Sequence, residues 1–172
     1  METKKSKLIS ELETLWRLVS GADMVESQLF FYKRSLEDAR DVKVVPLGEV
    51  LSKQQIEQIK TIINPQPKEC YKNATLLSQY LNCTYVEGKN LVCGVFGTEH
   101  AFNRIGDKYV DITLELALGK DVTKEEYIVQ GEWLAEECFD ISVSRGVYDS
   151  LYAKRIADEY CEYLKTKEDE FE

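Results

Sequence analysis

His100 is the only histidine in the 172-residue chain, so any imidazole chemistry in this protein runs through it. Its ordinary pKa lies near neutrality, which suits the ring to give and take protons. Ile105-Gly106-Asp107-Lys108 has the form of a two-residue hairpin turn, although Gly-Asp is a less favoured order than Asp-Gly. Such a turn pairs Ile105 with Lys108 and, moving outward, Phe102 with Asp111 and His100 with Thr113. Side chains alternate along a strand, so His100, Phe102 and Asp111 project from one face, with His100 and Asp111 as diagonal neighbours. Diagonal Cα atoms lie roughly 7 to 8 Å apart, a gap that an imidazole and a carboxylate can bridge. A three-residue turn would reverse the parity and separate them.

A histidine oriented by a carboxylate is a general base that lacks only a nucleophile, and Cys70 is the candidate. Cys70, Ala74, Leu77 and Leu81 form an apolar stripe at helical spacing after Asn64-Pro65-Gln66-Pro67, which places the cysteine within about one turn of a helix amino end. The helix dipole and the free first-turn N–H groups lower a thiol pKa, and a neighbouring imidazolium lowers it further. In that arrangement the thiolate attacks a carbonyl, His100 carries the proton to the leaving group, and Asp111 fixes the tautomer and orientation of the ring. The Cys70 N–H, with the Gln66 side chain as a candidate second donor, would steady the oxyanion.

The elements that must position these residues follow from periodicity. Residues 1–63 read as helical throughout. Leu8, Ile9, Leu12, Leu15, Trp16 and Val19 mark one amphipathic helix, Gly21 offers a stop, and residues 22–40 continue with a broad apolar face. Ser52 followed three residues later by Gln55 predicts a capping box for a helix over 53–63. Each proline then breaks the helix, and Pro67 suits the first turn of the next one, which runs to about residue 81. Beyond it the period becomes strand-like over 84–86, 90–96, 100–105 and 108–113, with Gly88, Gly94, Gly97 and Gly106 as breaks. Thr123 and Glu126 have the spacing of another capping box, so a short helix is expected there, and residues 127–143 fit strand or helix equally. A final helix covers about 147–165. The expected fold is α+β: one domain over residues 1–172, with a helical amino-terminal region over 1–63 and a chemical core over 64–115. In that core a Cys-bearing helix packs on a small antiparallel sheet that carries His and Asp.

The order Cys, His, Asp resembles the transglutaminase-like branch of the papain-type cysteine enzymes. The resemblance is carried by Glu69-Cys70-Tyr71-Lys72-Asn73-Ala74 opening a helix, Tyr85-Val86-Glu87-Gly88, His100-Ala101-Phe102-Asn103 and Tyr109-Val110-Asp111-Ile112-Thr113. Phe102 stands where Trp is frequent in that family, and Ile112 where Pro is. The resemblance implies a helix bearing the nucleophile against adjacent strands bearing the base and its orienter, and a reaction of the acyl-transfer type with Cys70, His100 and Asp111 as the triad. The family includes peptidases, amidases, cross-linking transferases and inactive binding domains. Hydrolysis of a peptide, amide or isopeptide bond is favoured over amine transfer, because water is always present and nothing specifies an amine site. An inactive domain that binds a protein partner is the alternative from another class, and a purely helical adaptor is a third.

Composition narrows the partners. With 22 basic and 31 acidic residues the net charge is −9, and the only tight basic cluster is Lys4, Lys5 and Lys7, so nucleic acid and anionic membranes are disfavoured. No window approaches the roughly 20 apolar residues that span a bilayer, and the first residues lack a secretory pattern, so the chain reads as cytoplasmic. At 44% hydrophobic and 31% charged it has a globular composition. The five cysteines contain no C-x-x-C pair, which argues against a disulfide framework and a zinc site. Cys83 and Cys93 read as packing residues at strand ends, and Cys138 and Cys161 as structural. Glu99 projects from the face opposite His100, so Glu99, His100 and Asp111 fail as a metal site in number and in facing. Tyr148, Tyr152, Tyr160 and Tyr163 read as packing, and the acidic end as a solvated tail. No cofactor is implied, and the expected partner is a peptide, protein or small amide substrate.

Overall fold

Helix α1 (Lys7–Ser20) begins where the Ser6 side chain accepts the Ile9 N–H, and it turns Leu8 and Leu12 inward. Helix α2 (Glu26–Glu37) returns against it and is shorter than its apolar pattern implies. The structure is a computed structural model and describes residues 6–92 and 96–169. Lys4, Lys5, Cys93, Gly94 and the last acidic residues, Glu170 and Glu172, fall outside the described residues.

The expectation of continuous helix to residue 63 fails between α2 and α3 (Lys53–Ile62). There the chain forms strand β1 (Arg40–Val42), a bridge at Val44 and a 3₁₀ turn over Leu47–Glu49. The β-branched Val42, Val44 and Val45 have no helical spacing and fit a pleated surface better. The Ser52–Gln55 capping box of α3 forms as its spacing predicts. Helix α4 runs Cys70–Leu81. It starts three residues after Pro67, because Lys68 takes a left-handed turn at φ 67° between the proline and the helix. Pro67 therefore stays in the loop and not in the first turn.

Strand β2 (Thr84–Val92) merges two stretches separated in the pattern by Gly88. A Cβ at Gly88 would lie 1.9 Å from the Ile128 carbonyl oxygen, so glycine permits a close approach of neighbouring backbones and does not break the strand. Strand β3 (Phe96–Ile105) runs through Gly97 and turns at Gly106, at φ 60°, into β4 (Lys108–Val110). The segment after β4 forms a π-helical turn, Thr113–Ala117, and a 3₁₀ turn, Val122–Lys124. The expected helix at residue 123 is absent, because Asp121 and not Thr123 supplies the cap, and the chain extends directly into β5 (Tyr127–Trp133). Residues 127–143, ambiguous by pattern, hold β5 and then the start of α5 (Ala135–Arg145).

The five strands form one sheet in the order β1-β5-β2-β3-β4, with antiparallel pairings. Val44 makes a parallel bridge to Tyr109 of β4, and the Val45 N–H donates to the Tyr109 carbonyl at 2.9 Å, so residues 40–45 touch both rims of the curled sheet. One face buries Val86, Phe102, Tyr127 and Val129 under Val44, Leu114 and Val122. The other carries Tyr85 and Ala101 against Ala74 of α4, Cys138 of α5 and Leu151 of α6 (Leu151–Asp169). Leu8 and Leu12 of α1 cover Leu91 and Ile128 beside them. The fold is α+β, with α4 packed on β3.

Helix α6 starts later than its apolar pattern implies. Glu87 of β2 accepts the Leu151 and Tyr152 N–H groups at 2.6 and 3.2 Å and the Ser150 hydroxyl at 2.6 Å, which fixes the first turn there. Tyr152 is buried, and Tyr160 and Tyr163 pack against the Phe30 ring, as packing residues do. Tyr148 stands half exposed before the helix, and Cys161 is exposed on it, so neither has the packing role expected.

Candidate active site

The β3–β4 turn has two residues, and its ladder pairs Ile105 with Lys108, Arg104 with Tyr109 and Asn103 with Val110. Continuing that register by one pair sets Asp111 opposite Phe102 and on the same face as His100. The His100 Nε2 lies 2.7 Å from Asp111 Oδ2, and both residues are buried. The carboxylate is fully satisfied despite its burial. Its Oδ1 accepts the Thr113 and Leu114 N–H groups at 2.9 and 3.0 Å, and Oδ2 also accepts the Tyr127 hydroxyl at 3.0 Å. These four donors replace the hydrogen bonds to water that burial takes from a carboxylate. Phe102 and Tyr127 lie against the imidazole, with centroids 6.2 and 6.3 Å from it, and restrict its rotation.

Cys70 is the first residue of α4, and its thiol lies near enough to His100 for each group to shift the titration of the other. With Nε2 bonded to Asp111, Nδ1 is the ring nitrogen left for the sulfur. Strand β4 ends opposite Asn103, so β3 has an open edge from that point back toward His100. The main-chain N–H groups of Ala101 and Tyr71 lie toward the Cys70 sulfur and favour its charged form.

The electrostatics follow from these contacts. Burial works to raise the Cys70 pKa, but the His100 hydrogen bond and charge and the two N–H donors outweigh it, so the thiol titrates below its ordinary value. Burial likewise works to lower the pKa of His100, and the charge and hydrogen bond of Asp111, with Cys70, overcome this and raise it to about 10. The two shifts have the opposite signs that a thiolate–imidazolium pair requires. Cys83 and Cys138 move the other way. Burial pushes Cys83 up to about 12 and also raises Cys138, which lies 3.5 Å from the Thr75 hydroxyl.

Gln66 lies in the loop before α4, but its side-chain amide donates to the Asn64 carbonyl at 2.9 Å, so it is turned back on its own loop. Glu99 is exposed and pairs with Lys89 across the β2–β3 ladder, away from the imidazole. Among the described residues no group of His, Cys, Asp and Glu side chains is placed to hold a metal ion, and no helix is long and apolar enough to cross a membrane. A cavity of about 260 Å³ between α4 and α5 is lined by Leu76, Gln79, Phe139 and Tyr148 and does not include Cys70.

Tyr127 is the site residue that sequence reasoning misses. It sits at the start of an element whose type the pattern leaves open, and its link to Asp111 comes from the order of strands in the sheet. No family model matches the chain, and no curated protein or solved structure shows significant similarity to it.

Proposed function

We propose that this protein is a thiol-dependent acyl-transfer enzyme that hydrolyses a peptide, amide or isopeptide bond. The observation that carries the reading is the line Cys70–His100–Asp111, in which the thiol is pulled down and the imidazole up by their mutual contact and by a buried carboxylate. The Cys70 thiolate attacks the carbonyl carbon, and the C=O electron pair moves to oxygen. As the tetrahedral intermediate collapses, the bond to nitrogen breaks and His100 Nδ1 gives its proton to the departing amine. The acyl group is left as a thioester. The now neutral His100 takes a proton from water, hydroxide adds to the thioester, and collapse releases the acid and returns the thiolate. Asp111 holds the Nε2 proton throughout and stabilises the imidazolium. The order of the three residues, at the start of a helix, on a strand and just past the end of the next strand, supports a place in the transglutaminase-like class.

Site-resolved alkylation tests this. From about pH 5 to about pH 9, Cys70 should react with iodoacetamide well below the range of an ordinary thiol near 8.5 and lose that advantage in His100→Ala. Equal labelling of Cys70 and the exposed Cys161 across that range would eliminate catalysis and leave a domain that binds a protein partner.

A further inference from the structure

One buried side chain holds the loop that delivers Cys70. Asn73, one turn into α4 and only 2% exposed, donates from Nδ2 to the Gln66 carbonyl at 2.8 Å and accepts the Gln66 N–H at Oδ1 at 3.2 Å. This pair of bonds closes the turn that contains Lys68 and fixes where the helix begins. The same Nδ2 also donates to Thr113 Oγ1 at 3.0 Å, a contact buried from water. Thr113 in turn donates its N–H to Asp111 Oδ1 at 2.9 Å. A short hydrogen-bonded path therefore joins the helix of the nucleophile to the carboxylate that holds the base. The environment suits asparagine, since a carbonyl and a hydroxyl oxygen need donors and a backbone N–H needs an acceptor.

One other directional bond ties α4 to the sheet, from Asn103 Nδ2 of β3 to the Ala74 carbonyl at 2.9 Å, but it leads to β3 and not to the Asp111 turn. Cys70, Tyr71 and Ala74 meet the sheet through Ala101 and Tyr85, and apolar burial is non-directional. Hydrogen bonds, by contrast, weaken steeply with misalignment. The titratable groups that face the thiol are His100 from β3 and Tyr71 from α4, and Tyr71 in turn faces Glu87 of β2 and Glu99 of β3.

We propose that Asn73 and Thr113 form a positioning strut that sets the separation of the Cys70 sulfur from the imidazole, so that thiol reactivity depends on a hydrogen bond made by no member of the trio. This rests on the acyl-transfer reading. Neither residue touches the reacting atoms, and both act through the placement of α4 against the Asp111 turn.

Thr113→Val removes the hydroxyl at nearly constant volume, and Thr113→Ser restores it. The readout is the pH profile of Cys70 alkylation by iodoacetamide, resolved by peptide mass, with Cys161 as internal reference and unfolding followed in parallel. The expected result is a T113V profile displaced upward by about one pH unit, about tenfold slower labelling on the acid side, with T113S following the parent. Asn73→Ala should shift the same way, and T113V decides the matter if N73A does not fold. A T113V profile that coincides with the parent overturns the strut, even if its unfolding midpoint drops, because that outcome marks a merely structural contact. Displacement of T113S as far as T113V also overturns it. If parent Cys70 labels no faster than Cys161 at any pH, the acyl-transfer reading fails and the strut with it. A fast parent Cys70 with an unmoved T113V sinks the strut alone.

Discussion

Asp111→Asn preserves shape and removes the charge on which the site depends. Asp111 Oδ1 accepts two main-chain N–H groups and Oδ2 accepts His100 and Tyr127, so an asparagine keeps its carbonyl on the main-chain side. That choice places Nδ2 where Oδ2 stood, with protons directed at His100 Nε2. The ring can meet it only by accepting at Nε2, which moves the ring proton to Nδ1 and turns the nitrogen beside the thiol from a base into a donor. With the carboxylate gone, burial dominates the ring and drives its pKa below the ordinary value of about 6.5. At about pH 6.5 an ordinary thiol of pKa about 8.5 is roughly 1% ionised, whereas activated thiols with pKa between about 3.5 and about 7.5 are about 10% to fully ionised. Cys70 alkylation at that pH should therefore fall by between about tenfold and about a hundredfold in D111N. Turnover of any substrate should fall further, toward the roughly 10⁴-fold loss that a reversed tautomer causes in a Ser-His-Asp triad. The assay is iodoacetamide labelling at fixed pH with peptide-resolved detection, beside a circular dichroism check of the fold. A folded D111N in which Cys70 labels within about twofold of the parent would refute the electrostatic reasoning.

The single histidine gives one imidazole signal in a side-chain NMR titration, and its midpoint should lie near 10, falling when Cys70→Ser removes a group that raises it. A midpoint at or below about 6.5 rejects the ion pair. Because the folded state holds this proton more tightly than the unfolded chain, its stabilisation is complete below about pH 6.5 and is lost as pH rises toward 10. The lowered Cys70 thiol gains stability as pH rises to its unfolded value near 8.5 and offsets this loss, so the chemical-denaturation difference between parent and D111N should shrink from about pH 8.5 toward 10, and a difference that grows there reverses the sign. Gly88→Ala would force a Cβ to 1.9 Å from the Ile128 carbonyl oxygen and should cost about 3 kcal/mol or more, whereas Gly48→Ala meets nothing within 4 Å and should change stability by less than about 1 kcal/mol. Equal unfolding midpoints for the two variants would contradict the close packing of β2 on β5.

Legibility in the sequence follows the range of the interaction. The Gly106-Asp107 turn fixes the register of its own hairpin, so the juxtaposition of His100 and Asp111 is readable from a few consecutive residues. The start of α4 near Cys70 and the Ser52 capping box are local as well. Tyr127 joins Asp111, and Asn73 joins Thr113, through strand order and helix docking that no short window encodes. The same limit conceals β1. Its three residues are too few for a periodic signal, and they become a strand only because β5 offers a free edge. Glu87 looks like an ordinary strand residue until α6 brings its N–H groups to it.

The stretch from Asn64 to Glu115 holds Cys70, His100 and Asp111, yet it is not a self-sufficient piece of protein. Cut free, it would lose β5, the second neighbour of β2, and also Val44 and Val45, which clasp Tyr109 two residues before the carboxylate. Both margins of the remaining three-stranded sheet would then present bare amides and carbonyls to any passing chain, an invitation to aggregate. Whatever chemistry the trio performs is thus inseparable from the distant amino-terminal segment that buckles the sheet shut.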